Sequence, residues 1–212
     1  MDHPAPTLAR SLTIGTLGFT GVSLAGFSVW AFAGRWFYAT VGEAGLYAVT
    51  ALVFVGLAGL LLHPLLEGSH RFKRFYGLFV PAFLLYSGVW SGAWFALGSG
   101  LGEWLGSLAG SAVFAGWICW RLGRLDAARW AIPLFFVAHS AGYFLGGVVM
   151  YGLLNRENAD LLPQLTRGQL GTIAKLSWGL FYGLGFGAGL GAVFHWAQRG
   201  GKAESSKNRG NG

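Results

Sequence analysis

Residues 176–198 read LSWGLFYGLGFGAGLGAVFHWAQ, and this stretch decides the fold. Glycine recurs every fourth residue, at Gly179, Gly183, Gly187 and Gly191. In water the segment would be a poor helix, because each glycine costs about 1 kcal/mol relative to alanine. In a bilayer the backbone must satisfy its own hydrogen bonds, so a long apolar segment is helical. Because residues four apart share a face, the stretch predicts a membrane helix with a glycine strip that another helix can approach closely.

The composition points the same way. The chain has 212 residues, of which 54% are hydrophobic and 11% are charged, whereas a soluble domain is about 25% charged. The net charge of +7 lies in the connections between apolar segments. There it indicates membrane topology rather than nucleic-acid binding. Cys119 is the only cysteine, which excludes an intramolecular disulfide and a cysteine metal cluster.

Six apolar segments predict an all-α, polytopic membrane protein with six transmembrane helices in three helical hairpins, tightly packed as a glycine-rich bundle. The last residues, 200–212, form a Gly/Lys/Ser tail that we expect to be disordered. The fourth segment is the shortest and least secure. The predicted spans are 12–32, 46–66, 75–97, 104–120, 130–153 and 173–196.

The first span has a rival interpretation as a signal peptide. Arg10 would be its basic region, and Ala31-Phe32-Ala33 would be its cleavage site. Its apolar stretch of about 20 residues is long enough to cross a bilayer and longer than a usual signal peptide core. We therefore expect this segment to be retained as a helix.

The basic residues also predict an orientation. If six spans cross the membrane, 11 of the 15 Lys and Arg residues fall on the side of the two termini. The positive-inside rule then makes both termini cytoplasmic. The preference for Arg over Lys, with abundant Ala, Gly and Leu, suggests a bacterial inner (plasma) membrane and a multi-pass protein.

No Asp, Glu, Lys or Arg lies in the middle of a predicted span. Charges inside the membrane usually mark proton relays and ion-coupled transport, so carboxylate-based coupling is not expected. Catalysis by a buried carboxylate pair is not expected either. The segment Ala138-His139-Ser140-Ala141-Gly142 resembles the histidine-bearing last helix of rhomboid proteases. The Gly-x-Ser-Gly motif of that family is absent, so neither the family nor an enzyme is indicated.

His139 is the one histidine deep in a span, roughly 15 Å from the basic loop at Arg129. Other polar and aromatic residues of the third and fifth spans lie at similar depth. They predict the lining of a path for a small, uncharged or weakly polar solute between the third, fifth and sixth spans, in a transporter or channel. A neutral histidine that only links helices is the structural alternative. The candidates are Tyr86, Ser87, Trp90, Ser91, His139, Ser140 and Tyr143.

Two segments resemble each other within the chain. Tyr86-Ser87-Gly88-Val89-Trp90 and His139-Ser140-Ala141-Gly142-Tyr143 both follow a basic loop by about 10 to 12 residues. A common ancestral hairpin or convergent membrane composition would each explain the similarity. Such repeats matter because transporters often bind their solute where repeats meet.

No metal site or cofactor is predicted, but one alternative is a haem-binding subunit similar to cytochrome b. His63 and His195 end the second and sixth spans at matching depth, and two histidines can ligate a haem iron axially. A third hypothesis is a structural subunit whose glycine face docks on a second copy or on another membrane protein. The lipid bilayer is the remaining expected partner.

Overall fold

The computed structural model describes residues 6–155 and 164–199, and in this part of the chain it contains helices and no strand. The predicted tail lies outside the described residues. So does the loop 156–163, which includes the charged residues Arg156, Glu157 and Asp160 and also Pro163. A short 3-10 turn at His63–Leu65 follows the second long helix, and another at Leu125–Ala127 directly precedes the fifth. The long helices are α1 (Leu8–Thr40), α2 (Gly42–Leu62), α3 (Arg71–Leu97), α4 (Leu101–Arg121), α5 (Ala128–Leu154) and α6 (Arg167–Gln198).

Five of these helices are long and apolar enough to cross a membrane, which supports an integral membrane protein. The exception is α4. Its 21 residues would extend about 31 Å, but its sequence includes Glu103, Arg121 and several serines and glycines. The five candidate spans are Leu8–Thr40, Gly42–Leu65, Arg71–Leu97, Leu125–Leu154 and Arg167–Gln198.

The central helix is α6. In its most apolar window 56% of the residues are buried, compared with 28–33% in the other four candidate spans. It runs antiparallel to α1 on one side and to α5 on the other, and these are the two most extensive helix contacts. Each of the pairs α1–α2, α3–α4 and α5–α6, adjacent in sequence, is also in contact. The α1–α2 connection is as short as one residue, Val41, before Gly42 at φ +78°.

The glycine strip of α6 lies against α1. A Cβ atom added to Gly183 would be 2.7 Å from Thr20 Cα, and one added to Gly187 would be 2.9 Å from Thr16 Cα. Gly191 meets the backbone of Ser11 and Leu12 in the same way. Only a bare backbone fits at these separations, because a side chain would have to push two helices apart.

A second set of small residues joins α6 to α5. A Cβ atom on Gly185 would be 2.8 Å from Gly142 Cα, and Gly189 lies against Phe135. Two strips on α6 therefore hold two neighbours. On α4, Gly106 and Gly110 lie against Trp90 and Tyr86 of α3 in a third close contact.

Phenylalanines fill the end of the bundle where α1 begins and α6 ends, which we call the terminal end. Phe19 stacks on Phe186 with ring centroids 4.3 Å apart, and Phe75 stacks on Phe194 at 5.5 Å. The Gln198 amide donates to Leu65 O at 2.8 Å and accepts from Glu67 N at 2.9 Å, which fixes α6 to the end of α2. The terminal end is therefore a closed apolar core.

Candidate functional site

A hydrogen bond between α3 and α5 lies at the centre of the bundle. It joins Tyr86 Oη and His139 Nε2, which are 2.7 Å apart. His139 is fully buried, and Tyr86 is 5% exposed. Buried polar side chains need such partners, because an unpaired group in an apolar interior costs several kcal/mol.

Aromatic rings surround the imidazole. Phe135 is stacked with it at a centroid distance of 6.0 Å, and Tyr182 and Phe186 of α6 meet it edge-on at 5.7 Å. Among the described residues, no charged side chain forms a hydrogen bond or ion pair with the ring. Because the surrounding rings are neutral and apolar, the site suits hydrogen bonding to a neutral group.

One helical turn further from the terminal end, a carboxylate approaches the site. The Tyr143 hydroxyl donates to Glu103 Oε1 at 3.1 Å, across the α4–α5 contact. The other oxygen of Glu103 accepts from Gly100 N at 3.2 Å and caps α4. The Trp178 indole donates to Tyr143 O at 3.1 Å. We call this end of the bundle the Glu103 end.

Between the Glu103–Tyr143 bond and the terminal end lie four buried polar residues, Ser107, Ser111, His139 and Ser140, which we call the α4–α5 seam. Glu103 meets Tyr143, and Phe114 stacks on Phe135 at 4.7 Å. Because α4 and α5 are antiparallel between these two contacts, Ser107 is level with His139. Ser140 faces α4, because the Trp104 ring contacts Phe136 and Phe144 on either side of it.

Several polar atoms of the seam have no hydrogen-bond partner in the described part of the chain. The hydroxyls of Ser107, Ser111 and Ser140 and the Nδ1 atom of His139 have no hydrogen-bond partner among the described residues. The indole N–H of nearby Trp90 is also buried and unpaired. Ser11 and Thr20 of α1 have unpaired hydroxyls too, but they face the glycine strip of α6. His195 Nε2, near the start of α1, is a further buried atom without a partner among the described residues. In the seam, the unpaired hydroxyls lie level with an imidazole whose other nitrogen is hydrogen-bonded to Tyr86.

The structure brings most of the sequence candidates together. Tyr86 contacts His139, Trp90 contacts Tyr143 at a centroid distance of 5.5 Å, and Ser140 lies in the seam. Ser87 and Ser91 are only half-buried on α3, and neither side chain makes a hydrogen bond to another described residue.

Sequence reasoning missed the contribution of α4 and of Tyr182. The signal was present, because Glu103, Ser107 and Ser111 recur every fourth residue and so share a helix face. Nothing in the sequence showed that this face meets α5 rather than lipid.

The two histidines of the haem alternative lie near the terminal end. His63 Nδ1 is 3.0 Å from Gly59 O, and its ring packs against Phe72. His195 is 2% exposed, and its Nδ1 is 3.3 Å from Pro6 O. The described residues include no group of three His, Cys, Asp or Glu side chains that could hold a metal ion.

Protein-family models, curated proteins and solved structures were compared with the chain, and none of them matches it. Its function is therefore inferred from the site itself.

Proposed function

We propose that this integral membrane protein transports a small, uncharged or weakly polar solute, and that the Tyr86–His139 pair is part of its binding site. The observation that carries the proposal is the buried 2.7 Å bond between these side chains, with unpaired hydroxyls beside it. A pair that only clamped two helices would need no further polar atoms around it.

The internal similarity of the chain supports this function. The corresponding residues of the two similar segments meet, since Tyr86 contacts His139 and Trp90 contacts Tyr143. Secondary transporters commonly bind their solute near the bilayer midplane where repeats meet. Pro81 and Pro133 interrupt the backbone hydrogen bonding of α3 and α5 near the start of these segments.

The closed terminal end favours a transporter over an open channel. From His139 towards that end, the interior is filled by Phe135, Phe114, Phe79 and Phe75. A channel needs a continuous lining of groups that replace the hydration of the solute. A binding site closed on one side is what alternating access requires.

For the membrane arrangement we propose six spans in three hairpins, with α4 as the fourth. Ser107 and Ser111 of α4 are buried in the bundle, Glu103 and Arg121 lie near its two ends, and its length matches the hydrocarbon core. The distribution of basic residues then makes the termini cytoplasmic in a bacterial inner membrane.

Flux into proteoliposomes tests this function. Proteoliposomes are mixed rapidly with urea or glycerol, and influx of the solute is followed by light scattering. The influx should be faster than into empty liposomes. His139→Ala should reduce it to background while the protein still elutes as a single folded species in detergent. His70→Asn is the matched control, because His70 is exposed in a loop at φ 53°, which asparagine tolerates. Background flux for the unaltered protein, with these and other small neutral solutes, would contradict the proposal.

The two other hypotheses have distinct readouts. A Soret band lost in His63→Ala or His195→Ala would favour the haem-binding subunit. A colourless protein, inert in flux and recovered only with another membrane protein, would favour the structural subunit.

A further inference from the structure

We propose that the α4–α5 seam is the binding site for a small neutral molecule that carries both hydrogen-bond donors and acceptors. The molecule would enter from the Glu103 end, past the Glu103–Tyr143 hydrogen bond. This inference rests on the proposed function and extends it to the ligand class, the side of entry and two serines of α4.

The chemistry of the seam selects the ligand class. Three hydroxyls, which can each donate and accept, and one imidazole nitrogen lack partners. Ser107, Ser111 and His139 are fully buried, and Ser140 is 4% exposed. No charged residue belongs to the seam, so an ion would lose its hydration without compensation. A neutral molecule with hydroxyl or amide groups would satisfy these atoms.

The histidine contributes whichever tautomer it adopts. If Tyr86 donates to Nε2, then Nδ1 carries the proton and seeks an acceptor. If Nε2 donates to Tyr86 instead, Nδ1 is an acceptor without a donor. In both cases the bond to Tyr86 fixes the ring and leaves one nitrogen for a ligand.

The two ends of the seam differ. Towards the terminal end, the stacked Phe114 and Phe135 rings close it at a centroid distance of 4.7 Å. Towards the Glu103 end, the closure is the Tyr143–Glu103 hydrogen bond and the stacked Trp104 and Phe144 rings, whose centroids are 4.3 Å apart. Glu103 is half-buried and Trp104 is 51% exposed, whereas Phe114 and Phe135 are fully buried. Side chains at the surface move aside more easily than rings packed in the core, so entry is expected from the Glu103 end.

Cysteine labelling tests the seam directly. In a Cys119→Ala background, Ser107→Cys and Ser111→Cys are treated with the small neutral reagent hydroxyethyl methanethiosulfonate. The reagent is added to right-side-out or inverted vesicles that contain glutathione, which quenches any reagent that crosses the lipid. We expect labelling from the Glu103 side only. Adding Tyr143→Phe should raise the rate roughly tenfold, as expected for loss of a hydrogen bond to a charged group.

Two matched cysteines on α4 serve as controls. Leu108→Cys lies on the outer surface of the helix, where Leu108 is 47% exposed, and Ala115→Cys lies beyond the phenylalanine pair at 0% exposure. Neither should react. Absence of labelling at Ser107→Cys from both sides, even with Tyr143→Phe, would overturn the inference. Equal labelling at Ala115→Cys would also overturn it, because the rings would then not close the seam.

The ligand class is tested by protection. Glycerol or urea at high concentration should slow labelling of Ser107→Cys at least severalfold, whereas sodium chloride at equal osmolarity should not. Labelling without protection would show a merely hydrated seam and contradict the ligand assignment. Flux that depends on His139 but not on Ser107 or Ser111 would leave the proposed function standing and reject this inference. Protection of Ser107→Cys by glycerol or urea in a protein that shows no flux would support this inference and reject the proposed function.

Discussion

The α1–α6 and α4–α5 contacts are two antiparallel helix pairs in the same bundle, and they are built on different principles. In the first, Gly183 and Gly187 allow backbone to meet backbone. Its interhelical side-chain hydrogen bonds in the described chain go to backbone carbonyls, from Ser23 to Gly179 O at 2.7 Å and from Lys175 to Trp30 O at 3.5 Å. In the second, side chains keep the helices apart, and Ser107, His139 and Ser140 are left with unpaired atoms. The unpaired hydroxyls of Ser11 and Thr20 in the first contact lie against the backbone of α6, whereas those of the second contact lie level with an imidazole.

The largest effect should come from filling the sealed contact. Gly187→Leu would place a side chain against the backbone of Gly15 and Thr16, which cannot move aside as a side chain can, so we expect a loss of about 5 kcal/mol or more. Thermal unfolding in detergent would show it. Gly88→Leu is the control, because nothing lies within 4 Å of a Cβ atom at Gly88. Equal thermal unfolding midpoints for Gly187→Leu and Gly88→Leu would mean that α6 is not docked on α1.

The next largest effect should come from the phenylalanine core that joins the two contacts. Phe186 touches Phe19 of α1 and Phe135 of α5, so Phe186→Ala should cost about 3–5 kcal/mol. Phe95→Ala should change stability by less than about 0.5 kcal/mol, since Phe95 is 76% exposed. A comparable loss at both positions, measured by detergent unfolding, would refute a core centred on Phe186.

A smaller loss of stability is expected at Tyr86, the hydrogen-bond partner of His139. Tyr86→Phe removes the partner of a buried nitrogen and should cost about 1–3 kcal/mol. Tyr76→Phe removes an exposed hydrogen bond of 2.6 Å to Gly56 O and should cost about 1 kcal/mol or less. Flux separates the two variants further, because only Tyr86→Phe should impair it. Normal flux in Tyr86→Phe would make the pair purely structural.

The smallest effect on stability is expected for the hydrogen bond between Tyr143 and Glu103, at the Glu103 end of the seam. Tyr143→Phe breaks the half-buried bond to Glu103 and should cost less than about 1.5 kcal/mol. A double-mutant cycle with Glu103→Gln measures the coupling between the two residues. Additive losses would indicate that the two side chains do not interact in the membrane.

The sequence predicted the helical membrane fold, because the composition and the four-residue spacing of glycines within one segment are enough to indicate a membrane helix. It also singled out His139 and Tyr86, because a polar residue deep in an apolar span is conspicuous. The structure pairs their side chains, and their role in a solute path stays a prediction. It could not show that Glu103 and Ser107 face α5, since Gly102, Gly106 and Gly110 offered an equally good contact face on the same helix. Which helix meets which face depends on packing across the whole bundle. Tyr182 was missed because the glycines around it dominated the pattern.

The central claim is that α6 docks on α1 through its glycine strip within one chain, and a disulfide tests it most directly. A Cβ atom on Gly183 would lie 3.3 Å from Thr20 Cβ, a few tenths of an ångström from the usual disulfide range. In a Cys119→Ala background, Thr20→Cys with Gly183→Cys should form an intramolecular disulfide under mild oxidation. The Cβ atom of residue 183 would also lie 2.7 Å from Cα of residue 20, so the helices must shift by a few tenths of an ångström and the reduced variant should be less stable than the unaltered protein. A disulfide-linked dimer, or free thiols in a folded protein, would contradict the claim.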